Sequence, residues 1–540
     1  MFHRKGMFKN MPIIVSNIKL PITENQEVAL KKAIQLVGLT KHDIKEINLH
    51  KMSVDARKRD NIQFVYTVRI DVLGDEQAIA EKAKNPDVKF AMEEKIEFIV
   101  GEKPLSSPPV IVGFGPAGMF AALVLAKMGY CPIVLERGSD VDNRVQKVER
   151  FWKDGVLDTN TCVQFGEGGA GTFSDGKLTT RISDDRCGYV LQQLVEYGAP
   201  REILFKQKPH IGTDNLRKVV KKIREDIIAN GGKVMFDTPL KDIVFTDNKL
   251  SAVVTENGEI QTGTLILAIG HSARDTFEML MQRGIFFEPK SFSVGARIEH
   301  LQSDIDKGLY GNMAGDKALP IGEYQLSHRE NDRGVYTFCM CPGGVVVPAA
   351  SEEGMVVTNG MSEYARKSGI ANTALVVSVT QQDYGNHPIK AIEFQRTLEK
   401  AAYKAGGGNY KAPIQTVGNF LSGKPGAALD RIQPSYAIGC TEADLTTVLP
   451  PFVTDMMKIG LHNFARELKG YDAADAVLTG IESRTSSPVR ITRGENMQSI
   501  SMEGLYPCGE GAGYAGGIIS AAVDGIRIAQ AIMAQYKPMI

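Results

Sequence analysis

Cysteine is scarce in this sequence: there are 7 in 540 residues, an odd number, with no CxxC pair and no metal-ligand spacing. That argues against a disulfide framework and a metal site, and it fits a reducing compartment. An excess of one charge sign is also missing, since Lys plus Arg and Asp plus Glu both number 63. A balanced chain has no overall pull toward nucleic acid or an anionic membrane. The basic opening residues, MFHRKGMFKNMPIIV, are not followed by an apolar stretch of signal-peptide length. One uncharged run, residues 110–126, is long enough to raise the question of a membrane span. It carries Gly113, Gly115, Pro116 and Gly118 near its start, which suits a strand, turn and helix better. No internal repeat and no low-complexity tract occurs. The expectation is a cytoplasmic globular protein of about three domains, with no metal and no membrane span.

Residues 1–100 read as a small α/β unit of order β-α-β-β-α-β. Residues 12–22 and 62–72 alternate as strands do, and 47–54 alternate with a slip after Leu49. Helical spacing marks residues 24–37, with a shorter helix at 78–83 and a closing strand at 88–100. Residues 102–109, rich in Pro and Ser, read as a linker. Beyond it, residues 215–230 form an amphipathic helix stopped by Gly231-Gly232, and short strands with turn signals fill 233–270. The stretch 276–495 is read as a second α/β domain whose elements the pattern does not order. Residues 505–535 read as strand, glycine loop and helix. The expected domains are 1–100, 101–275 continued by 496–540, and 276–495.

The sharpest motif is Val110-Ile111-Val112-Gly113-Phe114-Gly115-Pro116-Ala117-Gly118, a G-x-G-x-x-G between an apolar strand and an alanine-rich helix. Gly113 makes the tight turn, Gly115 lets the backbone approach a pyrophosphate, and Gly118 lets helix and strand pack closely. The helix N-terminus offers free N–H groups and a positive dipole end to phosphate. A second strand, residues 131–135, ends in Glu136-Arg137, about 20 residues beyond the first glycine, where a carboxylate accepts hydrogen bonds from ribose hydroxyls. Gly166–Gly171 and Gly511–Gly516 spell the same glycine pattern but lack the surrounding elements.

Near the other end lies Leu505-Tyr506-Pro507-Cys508-Gly509-Glu510-Gly511-Ala512-Gly513-Tyr514-Ala515-Gly516-Gly517-Ile518. This resembles the closing motif of glutathione-reductase-type FAD folds. The resemblance implies FAD, with Glu510 binding the ribityl chain after Gly509. It also implies a helix N-terminus near Gly516, Gly517 and Ile518 facing the flavin pyrimidine edge. Residues 264–270 resemble that family's return strand, ending in Gly270, and Leu240 sits where members contact adenine through the backbone. With one complete dinucleotide unit, the likeness is to the single-nucleotide branch. Gln164 through Leu178, Gly270 through Asp275 and Gly509 through Gly517 are together similar to a family of FAD-dependent dehydrogenases with an N-terminal ferredoxin-like domain. The implied fold class is α/β: a discontinuous FAD-binding Rossmann domain, a substrate domain and the ferredoxin-like unit.

The loop from Gly166 to Leu178 has glycines at 166, 168, 169, 171 and 176. So many suggest a backbone lying close to a flat ligand. Gly168, Gly169, Thr172, Phe173, Ser174, Lys177 and Leu178 are accordingly read as wrapping the flavin, and a flexible surface loop is the alternative. His271, Lys177 and Arg484 are the catalytic candidates. His271 stands either beside the flavin as acid or base, or merely ahead of a Ser272–Asp275 helix cap. Arg484 either binds an anionic substrate or is a solvated loop charge. Cys339 and Cys341 are either a redox pair or two small buried side chains entering a Pro-Gly-Gly turn. The basic turn Arg57-Lys58-Arg59 lacks interleaved aromatics, which speaks against nucleic acid. Two functions follow. The first is an FAD-dependent oxidoreductase exchanging a hydride between a small-molecule substrate and flavin N5, with NAD(P)H as a transient reductant. The second is an FAD-binding RNA-modification or protein-interaction factor that docks through residues 1–100.

Overall fold

A computed structural model describes residues 12–91 and 96–540. The basic N-terminal segment up to residue 11 lies outside the described residues. Strands Ile13–Pro21, Ile44–Asp55, Gln63–Val72 and Val88–Phe90 form one antiparallel sheet, in the spatial order second, third, first, fourth. Along Gln63–Val72 every second side chain is buried. Phe64, Tyr66, Val68 and Ile70 thereby meet Ala29, Ala33 and Val37 of the helix Gln26–Val37. That helix begins at Asn25, whose side chain accepts from the Glu27 N–H, and stops at Gly38 with φ +77°. The slip after Leu49 is a register shift between Leu49 and Lys51.

The closing strand is shorter than its sequence pattern. It pairs with the first strand from Val88 opposite Val15 to Phe90 opposite Ile13, and the Ala91 N–H donates to Pro12 O. Residues 92–95 of the expected strand lie outside the described residues. Beyond them the Gly101 N–H donates to Met533 O and the Lys103 N–H to Gln535 O, tying the linker to the chain's other end.

The second sheet is wholly parallel. Its strands stand in the order Leu505–Pro507, Leu265–Leu267, Val110–Val112, Ile133–Leu135, Lys233–Met235. Parallel strands are covered on both faces, which explains the continuous apolar runs. Ile111, Val134, Ile266 and Tyr506 face helices Pro116–Lys127, Thr213–Ala229 and Ile518–Met533. Val110, Val112, Leu135, Leu265 and Leu267 face Ile243, Leu250 and Phe277 on the other side. The Pro116–Lys127 helix is buried on nearly all sides, hence its alanines.

Residues 292–482 build a seven-stranded sheet in the order Ser327–Glu330, Arg333–Cys341, Ile370–Val379, Phe292–Leu301, Val477–Glu482, Ala412–Thr416, Cys440–Glu442. Helices Pro388–Ala405 and Pro451–Glu467 pack against it. In the central strand, Phe292–Leu301, all positions but Leu301 are buried. Such a strand does not alternate, so its sequence carries little periodic signal.

The close approach of helices Pro116–Lys127 and Ile518–Met533 rests on Gly525, where an added Cβ would run into the carbonyl of Ala117. Gly525→Ala is expected to lower stability by about 1–3 kcal/mol through overpacking. Gly263→Ala, where nothing lies within 4 Å of the new atom, should stay within about 0.5 kcal/mol. Thermal unfolding followed by circular dichroism checks both.

Candidate functional site

The parallel strands Val110–Val112, Leu265–Leu267 and Leu505–Pro507 all release their chains at one edge of the sheet, where open α/β sheets bind ligands. A cavity of about 1710 Å³ lies there. Gly113 turns the chain with φ +98°, and a Cβ on it would strike Ala268 O. Gly509, φ +74°, is packed so closely that its Cβ would stand 2.7 Å from the Ala117 Cβ. The two glycine turns, remote in sequence, therefore touch. Helix Pro116–Lys127 starts at Gly115 and helix Ile518–Met533 at Gly517, neither with a side-chain cap. Gly115, Pro116, Ala117, Gly516, Gly517 and Ile518 line the cavity, so two helix N-termini present open N–H groups to one space.

Glu136 is buried beside them. Its Oε2 accepts from the Phe114 N–H at 2.8 Å, and its Oε1 accepts from Gly166 and Gly138 at 2.9 and 3.0 Å. One carboxylate thus braces the glycine turn, its own loop and the 166–178 loop. Arg137 pairs with Asp275 at 2.5 Å and lies over the Phe165 ring. Leu240 and Gly270 complete this part of the wall.

The glycine-rich loop divides in two. Gly169, Ala170, Gly171 and Ser174 line the cavity. Gly169 lies on the fingerprint turn, its Cβ position 2.9 Å from Gly115 Cα. Gly168, Thr172, Phe173 and Leu178 stand behind that wall. Thr172 Oγ1 donates to Glu167 O, Leu178 is in the core, and Phe173 is held between the guanidinium groups of Arg144 and Arg217. Gly118 and Gly509 are likewise behind the surface: Gly118 packs on Gly113, and the Gly509 N–H donates to Asp524.

The three catalytic candidates all line the cavity, each with partners the sequence did not disclose. Lys177 pairs with Glu323 at 2.7 Å and Asp175 at 3.4 Å. Arg484 is 7% exposed, which rules out a solvated loop charge. It pairs in a fork with Glu399, and Glu399 holds Arg274 with the same two oxygens. The expected Ser272–Asp275 cap does not form. Ala273 is the N-cap without a side-chain bond, Ser272 Oγ meets His271 Nδ1 at 2.9 Å, and Asp275 is taken by Arg137. Burial, with Arg484 and Arg274 nearby, drives the His271 ring down to about 3, so it is neutral at physiological pH.

Two cavity groups, Glu482 and Lys290, escaped the sequence reading. Glu482 ends the strand Val477–Glu482, and burial raises it to about 7 against the opposing Arg297. Burial likewise raises Glu510 to about 7, opposed by Lys290, itself lowered by burial. A lone acid closing an apolar run, as Glu482 closes 477–481, was the signal available.

Similarity to known proteins bears on this site. The family described as "FAD-dependent protein, C-terminal domain-like" matches residues 291–485, and a domain of unknown function matches residues 11–71. A Clostridium beijerinckii protein, described as uncharacterized, is 48% identical over 530 residues, covering 97% of this chain and 99% of that one. Among solved structures, L-proline dehydrogenase from P. horikoshii is 14% identical with a TM-score of 0.33, covering 82% of this chain and 96% of that one. Glycine oxidase from Bacillus cereus is 10% identical with a TM-score of 0.31, covering 80% and 96%. The cofactor of the chain is FAD. Two uncapped helix N-termini, a glycine cradle and a buried acid beside each turn form a donor and acceptor set that suits it. Among the described residues no helix is long and apolar enough to cross a membrane, and no His, Cys, Asp and Glu group could hold a metal ion.

Removing Glu399 leaves two buried guanidinium groups with only the partly exposed Glu352 as a counter-charge, so Glu399→Ala should cost about 3 kcal/mol in chemical denaturation. Glu482 keeps its proton in the folded protein up to about 7, against an ordinary value of 4.5. Between those values the unfolded chain loses the proton first, so this group's contribution declines as pH rises. Glu482→Gln in cofactor-stripped protein should gain stability relative to the parent across that window, by up to roughly 3 kcal/mol. Denaturant midpoints measured from pH 4 to pH 8 read the difference.

Proposed function

We propose a function from the premise that this chain belongs to the same family as the Clostridium beijerinckii protein and is an FAD-dependent oxidoreductase. In this reading it is a dehydrogenase or reductase that exchanges a hydride between a small organic substrate and flavin N5. One observation carries the reading: two glycine turns and two open helix N-termini from distant parts of the chain meet on one cavity. At about 1710 Å³ it exceeds the 300–1,000 Å³ usual for a small-ligand pocket and leaves room for a substrate beside a dinucleotide.

The FAD-binding domain is read as discontinuous, 101–275 with 496–540, in a glutathione-reductase-type fold of the single-nucleotide branch. Residues 276–495 form the substrate domain. Residues 1–100 are read as ferredoxin-like, which their strand order supports. The N-terminus of helix Pro116–Lys127 holds the pyrophosphate, and Glu136 the adenosine ribose. Leu240 lies against adenine. Glu510 takes the ribityl chain, and the N-terminus of helix Ile518–Met533 faces the pyrimidine edge. Bound there, FAD supplies a two-electron acceptor. The protein contributes positioning and electrostatics. A neutral His271 offers a hydrogen bond to the substrate without adding charge. Glu482, with a proton to hold near pH 7, suits proton transfer to or from the substrate. Lys177 and Arg484 act through Glu323, Asp175 and Glu399, orienting the walls. NAD(P)H reaches the flavin from the same cavity as a transient reductant.

Purified protein should show a flavin absorption spectrum with one FAD per chain. Glu510→Ala should weaken FAD binding about ten- to a hundred-fold, the loss of charge-assisted hydrogen bonds. An anaerobic screen of amino acids, hydroxy acids and reduced nicotinamides for flavin bleaching then finds the substrate class. Colourless protein that takes up no added FAD would overturn the reading.

A further inference from the structure

We propose that Cys339 and Cys341 form a dithiol–disulfide pair that exchanges two electrons with the FAD in this cavity. The proposal rests on the FAD site described above and goes beyond it, because it adds a second two-electron centre to the protein. An extended strand would hold two residues this far apart at a Cα separation of about 6.6 Å, near the upper limit for a disulfide. The strand Arg333–Cys341 is not extended there. Its register with Ile370–Val379 breaks between Phe338 and Cys341, and Cys339 adopts φ +48°. A side chain other than glycine is rarely held in that region, and such strain is concentrated at functional sites. The distortion turns Cys341 back onto its neighbour: the Cys341 Sγ donates to Cys339 O at 3.5 Å.

The surroundings suit a thiolate. Arg297 is fully buried, its Nη2 donates to Cys339 O at 2.8 Å and stands 3.9 Å from Cys341 Sγ. The neighbouring Cys341, reinforced by the Arg297 charge, holds the Cys339 thiol below its ordinary range, while Cys341 is held above it. Cys339 is half-buried and lines the cavity, within electrostatic reach of Glu510 and Lys177. No other cysteine among the described residues lines it.

The step balances. Two S–H bonds break and one S–S bond forms. The electron pair and one proton pass to oxidised flavin. The second proton leaves, with the Glu482 carboxyl, which feels the Cys339 charge, placed to hold it. In reverse, reduced flavin returns the pair and the disulfide opens.

Anaerobic dithionite titration of the thiol-oxidised, FAD-loaded full chain tests this. Four electrons per FAD are expected, falling to two in Cys339→Ser and in Cys341→Ser, with the FAD content and thermal midpoint of both variants checked as fold controls. Alkylation and mass spectrometry provide a readout independent of turnover. The peptide carrying both cysteines should be two hydrogens lighter and closed to alkylation in the oxidised state, and open to two alkyl groups after dithionite. Yellow protein that takes up two electrons, or keeps both thiols open to alkylation after a thiol oxidant, overturns the pair alone. Protein without FAD overturns both this pair and the function proposed above.

Discussion

The strand Leu265–Leu267 is the constraint on which the site depends. It is hydrogen-bonded to Val110–Val112 on one side and to Leu505–Pro507 on the other, so the first and last glycine turns leave the sheet side by side. Its neighbours must be parallel for both turns to fall at the same edge. Parallel strands in turn must be buried on both faces, which is why five short apolar segments spread over some 400 residues find one another. Glycine sets the tolerance of the contact. At Gly113, Gly118, Gly509 and Gly525 a methyl group would occupy space already filled by backbone or by Ala117.

A second constraint joins this sheet to the larger one. Arg274 opens the helix after the parallel strand, Glu399 lies on helix Pro388–Ala405, and Arg484 follows the strand Val477–Glu482. All three are buried, and two guanidinium groups share one carboxylate. A buried ion cluster is weak evidence of stability, but once assembled it tolerates little rearrangement, because any unpaired member would be a bare charge in a dry interior. Burial, with the guanidinium groups of Arg484 and Arg274 nearby, keeps His271 neutral, and Arg484 meets the cavity already paired to Glu399. Glu482, Cys339 and Lys290 also line the cavity.

Much of the frame was legible in one dimension. The strand–turn–helix around Gly113 could be read because its three glycines and its apolar strand are contiguous. The small N-terminal sheet could be read because one of its faces meets solvent, so burial alternates along Gln63–Val72. The seven-stranded sheet could not, because strands such as Phe292–Leu301 are covered on both faces and carry no period of two. The cap expected at Ser272–Asp275 failed for a related reason. Local spacing favoured it, but His271 and Arg137, the latter brought in by the tertiary fold, took the two side chains. Phe173 and Leu178 belong to a loop whose glycines suggested a ligand, yet their side chains serve the core behind it.

By itself, then, the sequence determined the local conformations: where glycine must turn the chain, where an alanine-rich helix must be buried, and which acids follow the two turns. Those depend on backbone sterics and on neighbours a few residues away. Only the tertiary structure decided which charges are available for chemistry. Lys177, Arg484, Glu482 and the two cysteines owe their state to partners between 42 and 185 residues away, such as Glu323, Glu399 and Arg297. Coulomb interactions and desolvation depend on separation in space, and no spacing along the chain encodes that separation.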